Sequence, residues 1–191
     1  MLANKKEMIL EAAGQSFSMF GYKGTTIDQV AKLANIGKGT IYTAFKSKEE
    51  LFEAVLNQII IEVKDVFERA FLDSRSMDDN ISHALHDLLE FRQQHVLLNK
   101  LTQEASAIRS IPAKNALTEV EKVIIESITQ QIKRGIEHGK VKVSDPKLTA
   151  FMVYKSYMAL AIEFTEMFEP IDKQKIIKLF KSHLTKGLLS D

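Results

Sequence analysis

Lys38, Thr40, Tyr42 and Thr43 fall within residues 38–45 and would share the outward face of one short helix. An ammonium group, two hydroxyls and a phenol are donors suited to phosphate oxygens and base edges. A second grouping, His83 and His86 with Asp87 and Glu90 close behind, has a spacing that could turn imidazole and carboxylate to one helix face and hold a metal. The same spacing also describes a solvated helix edge or a hydrogen-bonded pocket lining. No second acid/base cluster or nucleophile motif accompanies it, so no catalytic residue, resident metal or cofactor is expected. Gly37-Lys38-Gly39-Thr40 has the composition of a phosphate-binding loop without its spacing. Lys32 stands where the first glycine belongs, and Gly39 separates the lysine from the hydroxyl.

The elements that would position the first grouping are legible in residues 25–51, which read as two short helices joined by a tight turn and followed at once by a third. Thr26 with Gln29 forms a capping-box start, and Ile27, Val30, Ala31 and Ala34 make one apolar face. Asn35 falls where the chain must reverse, a left-handed position that Asn tolerates. Ile36 re-enters the core, Ile41 and Phe45 supply the buried side of the second helix, and Ser47 with Glu50 caps the third. Upstream, Asn4 and Glu7 suggest a cap for a first helix with Ile9, Ala13, Phe17 and Phe20 on one stripe and Gly21 ending it. Any helical hairpin could share parts of this pattern. Against that, the second helix is only about two turns long, too short to persist unless packed in a trihelical unit. Its outward residues also lack the Glu/Lys mixture of a solvated face. The pattern predicts a helix-turn-helix holding a short helix against the major groove of DNA.

The rest of the chain reads as helices. A long one is expected over 47–72, with Leu51, Val55, Ile59, Val66 and Phe67 inward, and a polar loop over 73–79. Ile81, Ala84, Leu85, Leu88 and Leu89 mark the next, and another covers 96–108. Pro112 punctuates the chain before Leu117, Val120, Ile124, Ile128 and Ile132, which recur at helical spacing up to Gly139. Ser144-Asp145-Pro146 is a strong helix start. Residues 148–168 are apolar almost all round, Pro170 should stop that helix, and Asp172 should cap a last one carrying Ile176, Ile177, Phe180, Leu184 and Leu188. The expectation is an all-α chain of about nine helices, three in an N-terminal head (1–46) and six in a body (47–191). A body of six helices has little room to bury every face of one of them, so the last two are expected to form a homodimer interface, through residues 146–168 and 173–188.

Composition sets outer bounds. The chain has 191 residues, 45% of them hydrophobic, with three prolines and no cysteine. Disulfides, thiolate zinc sites and thiol catalysis are thereby removed together, which suits a reducing cytoplasm. Lys155, Glu163 and Glu166 make the 148–168 segment expensive in hydrocarbon, so a membrane span is not expected. Residues 1–48 hold seven lysines against Glu7, Glu11 and Asp28, an excess of four; with +1 for the whole chain, the remainder is at −3. A basic head on a mildly acidic body fits a partner of polyphosphate at one end.

The stretch GYKGTTIDQVAKLANIGKGTIYTAFKSKEEL (21–51) resembles the head of TetR-family transcriptional repressors nearly throughout. Beyond residue 52 the likeness is one of length and architecture, with Gly139 and Asp145-Pro146 before the penultimate helix. The resemblance implies a homodimer that binds double-stranded DNA through its head and a small molecule in its body. It implies that Thr26 caps the second helix and touches phosphate, that Lys38 and Thr40 face base edges or adjacent backbone, that Tyr42 and Lys48 meet phosphate, and that Gly39, Thr43 and Lys46 belong to the same DNA-binding set. Two positions depart from the family pattern. Gly37 replaces a frequent hydroxyl cap, and Thr43-Ala44 occupies a pair that is often aromatic or His and contacts phosphate, where Ala44 can make no polar contact. In the body, Phe91, His95, Phe151, Met152 and Met158 are candidates for a lipophilic effector pocket, and ordinary core packing accounts for each taken singly. The alternative to a regulator is a metal-binding or enzymatic helical bundle centred on His83/His86.

Overall fold

Side-chain acceptors stand before the apolar runs and set where helices begin. Thr26 Oγ1 accepts from the Gln29 N–H at 3.3 Å while Gln29 Oε1 accepts from the Thr26 N–H at 2.7 Å, a reciprocal box. Asp145 accepts from the Leu148 N–H at 2.9 Å with Pro146 in the first turn, and Asp172 accepts from the Gln174 N–H at 2.9 Å. Ser47 accepts from the Glu50 N–H at 3.1 Å, but Glu50 reaches back to the Lys46 N–H rather than to Ser47. Gly37 starts its helix without a side-chain cap. Asn35 (φ 52°) and Gly139 (φ 66°) take the left-handed conformation. Arg109 (φ 50°) does so as well, at a turn the sequence does not signal.

The computed structural model describes residues 2–169 and 171–185. Among them the helices are α1 (Leu2–Gly24), α2 (Ile27–Leu33), α3 (Lys38–Ala44), α4 (Lys48–Ala70), α5 (Met77–Gln94), α6 (Val96–Ile108) and α7 (Ile111–Glu137). Then α8 runs from Pro146–Met158 through a π-helical stretch, Ala159–Glu163, into Phe164–Met167, and α9 from Lys173–Leu179 into a second π stretch, Phe180–Thr185. The expectation of about nine helices holds among the described residues. None of them is long and apolar enough to cross a membrane. The Pro170 stop and Leu188 lie outside the described residues, as do the side chains of Asn4, Glu166 and Leu184.

Two compact units emerge. One comprises Met1–Ile61 with Arg92–Val120, the other Glu62–Phe91 with Glu121–Asp191. In the first, Phe17, Ile41, Leu51 and Leu101 are fully buried, and the rings of Phe17 and Tyr22 lie 4.9 and 4.8 Å from Phe52. α6 packs along α1 here. In the second, Val66, Phe67, Leu85, Tyr154, Ile176 and Phe180 are buried, and Lys173 Nζ meets Glu90 Oε1 at 2.6 Å.

Three details differ from expectation. α1 kinks at Gly21 (φ 74°, ψ −179°) and continues as a turn, which resets the side-chain phase. Phe20, expected on the inner stripe, is 41% exposed, and Tyr22 enters the core instead. Pro112 sits in the first turn of α7, where its missing N–H costs nothing, so it begins a helix rather than interrupting one.

Candidate nucleic-acid interface

α2 packs against α3, and Lys6 of α1 lies over Phe45 at its end. Ile41 is 0% exposed, Phe45 2%, and Ile36 is half-buried at the turn. The opposite side of α3 is open. Tyr42 is 47% exposed, Lys38, Gly39, Thr43 and Lys46 are exposed, and Thr40 is half-exposed. The structure therefore presents on one surface the donors that the sequence places at 38–46. Thr26 is exposed as well, at the start of α2.

These donors differ in what already engages them. Thr43 Oγ1 donates to Gly39 O at 2.9 Å, folding back on its own helix. Lys38 Nζ lies 3.1 Å from Asp28 Oδ2, with both side chains well exposed. A pair so solvated is worth little and yields readily to phosphate.

Lys48 is already engaged within the head. Its Nζ donates to the carbonyls of Tyr22 at 2.9 Å and Thr25 at 3.1 Å, and lies 4.4 Å from the Tyr22 ring centroid. Two of its three N–H groups thus tie the start of α4 to the link between α1 and α2. Lys48→Ala is expected to lower stability by about 1–3 kcal/mol through the lost charge-assisted bonds, in addition to any loss of DNA affinity. Thermal melting of the variant checks this; a residue acting on phosphate alone would leave the melting temperature unchanged.

The sequence reading missed the polar network beneath this surface. Ser16 Oγ donates to Thr25 Oγ1 at 3.3 Å, and Thr25 Oγ1 donates to Gly21 O at 2.8 Å, with Ser16 and Thr25 at 0% and 1% exposure. The signal available was Ser16 itself, a polar residue in phase with Ile9 and Ala13. On α6, the buried Glu104 accepts from the Lys23 N–H with both oxygens at 3.3 Å.

Tyr22 Oη donates to Glu49 Oε1 at 2.6 Å. Burial, and then that hydrogen bond, raise the Tyr22 phenol above its ordinary range. The bond from Tyr22 is the main cause holding the Glu49 carboxyl below its own. A raised phenol contributes stability that is complete below the unfolded value near about 10 and is lost as pH rises through the folded one. A depressed carboxyl contributes above about 4.3 and is lost as pH falls. The melting temperature is therefore expected to decline on both sides of a neutral plateau, and Tyr22→Phe to flatten both arms at a cost of about 1 kcal/mol. Melting curves across pH test it, and an unaltered alkaline arm in Tyr22→Phe would count against the pair.

The histidine grouping is not assembled. His83 Nδ1 lies 2.8 Å from Asp79 O on its own helix, and Glu90, its carboxyl held low chiefly by the hydrogen bond from Lys173, is engaged there. Among the described residues no three His, Asp or Glu side chains form a metal-sized cluster. The effector candidates differ in burial. Phe91 is buried in the second unit, Met158 is half-buried, and His95 is half-buried in the first unit. Phe151 and Met152 are 44% and 58% exposed.

Residues 9–55 match the profile of bacterial regulatory proteins of the tetR family. The chain is 42% identical over 188 residues to the uncharacterized HTH-type transcriptional regulator YhgD of Bacillus subtilis, covering 98% of each chain. It is 30% identical to the HTH-type transcriptional regulator RutR of Escherichia coli, over 80% of this chain and 71% of that one. Its fold matches that of SmeT, solved as a complex with triclosan, with a TM-score of 0.72 at 17% identity over 98% and 93% of the two chains. An open donor face on a short helix braced by two others, on a chain so related, means that the chain belongs to the TetR family of DNA-binding transcriptional regulators and is not an enzyme.

Proposed function

We propose that the chain is a ligand-responsive repressor that binds a near-palindromic operator as a homodimer and is released by a small effector. The observation that carries this reading is the open face of α3, with Lys38, Thr40 and Tyr42 outward and Ile41 buried behind them. Residues 1–46 act as the DNA-binding part and residues 47–191 as the part that dimerises and binds effector. Thr26, Tyr42 and Lys46 serve phosphate, Lys38, Gly39, Thr40 and Thr43 face base edges or neighbouring backbone, and Lys48 braces the head beside its phosphate role. Two copies of α3 enter successive major grooves, roughly 34–36 Å apart.

Dimerisation through residues 146–168 and 173–188 is supported by Leu148, Phe151, Met152 and Met167, which are 57%, 44%, 58% and 70% exposed on α8. Apolar groups gathered on one helix mark a surface for covering. A lipophilic effector in the body is supported by its Phe and Met content and by the triclosan complex of the fold relative SmeT. To release DNA, the effector must favour the unbound state by about 1–3 kcal/mol. A cysteine-free chain suits work in a reducing cytoplasm.

Selecting bound fragments from random duplex DNA with the purified protein tests function, symmetry and spacing together. The expected product is an inverted repeat with half-sites about one helical turn apart. Recovery of no sequence preference, or of a single half-site, would sink the operator reading.

A further inference from the structure

Beside α3 lies a groove of about 520 Å³, walled on one side by Lys5, Lys6 and Ile9 of α1 and on the other by Gly37, Gly39, Thr40, Thr43 and Ala44. Among the described residues no carboxylate lines it. Its far wall is stripped of side chains at two points, because a Cβ built on Gly37 or Gly39 would meet nothing within 4 Å. Ala44 adds a small apolar surface there. Lys5 and Lys6 are both exposed, and the Lys6 ammonium is held 5.3 Å from the ring centroid of Phe45, at the end of α3.

Resting on the DNA-binding reading, we propose that this groove seats one sugar-phosphate strand, with Lys5 and Lys6 each meeting a phosphate. Two cations on one wall match a polyanion, and the apolar Ala44 matches a face of deoxyribose. The opposite wall is backbone at Gly37 and Gly39, which lets a strand approach closely. The groove shares Gly39, Thr40 and Thr43 with the donor face of α3, so a duplex read by α3 carries its own backbone along it. The arrangement also accounts for Ala44. A position where the family often places a phosphate-contacting side chain is here a methyl group, and the cations stand across the groove from it on α1. Lys38 is shared with Asp28 and Lys48 with two carbonyls, which gives the α1 pair a larger part in holding phosphate than charge counting along the sequence suggests.

The test compares wild type, Lys5→Gln/Lys6→Gln and Lys5→Arg/Lys6→Arg by fluorescence anisotropy, on the selected operator and on an unrelated duplex, between about 50 and 200 mM salt. The glutamine variant is expected to bind about tenfold or more weakly at the low-salt end, by a similar factor on both duplexes, and its slope of log affinity against log salt should shrink by about 1.8. The arginine variant should retain both affinity and slope. Because the lysines are exposed, the glutamine variant should melt within about 2 °C of wild type. Wild type binding with a slope unchanged in the glutamine variant would overturn this proposal alone, and wild type binding no duplex at all would overturn it together with the DNA-binding reading.

Discussion

Gly21→Ala is expected to destabilise the chain by about 2–6 kcal/mol, lowering its melting temperature by roughly 5–15 °C. Two independent causes add. At φ 74° and ψ −179° the backbone occupies a region open in practice only to glycine, and a side chain there is strained by about 1–3 kcal/mol. A Cβ would also lie 2.2 Å from Glu104 Oε2, and Glu104 is only 8% exposed with nowhere easy to retreat. If the carboxylate moves, the Lys23 N–H loses its acceptor, which costs about 1–3 kcal/mol more. Combining Gly21→Ala with Glu104→Ala separates the two. The contact is relieved and the dihedral strain is not, so the double variant should be less destabilised than the sum of the singles. A Gly21→Ala protein melting within a degree of wild type would show that the kink is not required.

The second large effect is expected at α8. Phe151→Asp/Met152→Asp should weaken self-association by about 2–4 kcal/mol, or roughly 30- to 1000-fold, if these residues sit at the centre of the proposed dimer. Both side chains are substantially exposed in the single chain, so the fold of each copy should survive. Light scattering at micromolar concentration should report one chain for the variant and two for wild type. Operator binding should weaken with it, because two half-sites are no longer engaged by one particle. A wild-type protein of single-chain mass, or a variant that remains paired, would remove residues 146–168 from the interface.

What could be read from residues alone followed how local the physics was. The Thr26–Gln29 box, the Asp145-Pro146 start, the left-handed Asn35 and the Ile41/Phe45 face of α3 depend on neighbours within a few positions, and all were legible. The kink at Gly21 was legible as a stop, but its consequence was not. The acceptor that occupies the space beside it, Glu104, is 81 residues from Lys23 in the chain, and no spacing rule joins them. The bracing by Lys48 was hidden for the same reason. Its position at the head of a helix suggested phosphate, whereas carbonyls 26 and 23 residues upstream hold its ammonium. The importance of Lys5 and Lys6 was equally hidden, because only folding brings the start of α1 alongside α3.

The π-helical stretch at Ala159–Glu163 bears on how α8 can be altered. One wide turn offsets the rotational register of everything after it from that of everything before, so Met167, which an unbroken α-helix would set about 100° away from Leu148, comes back near its line. Returning 159–163 to α-helical winding without removing a residue would swing the final turn by about 100° about the axis. The surface available to a second copy would then be a different one, with every side chain on it still present.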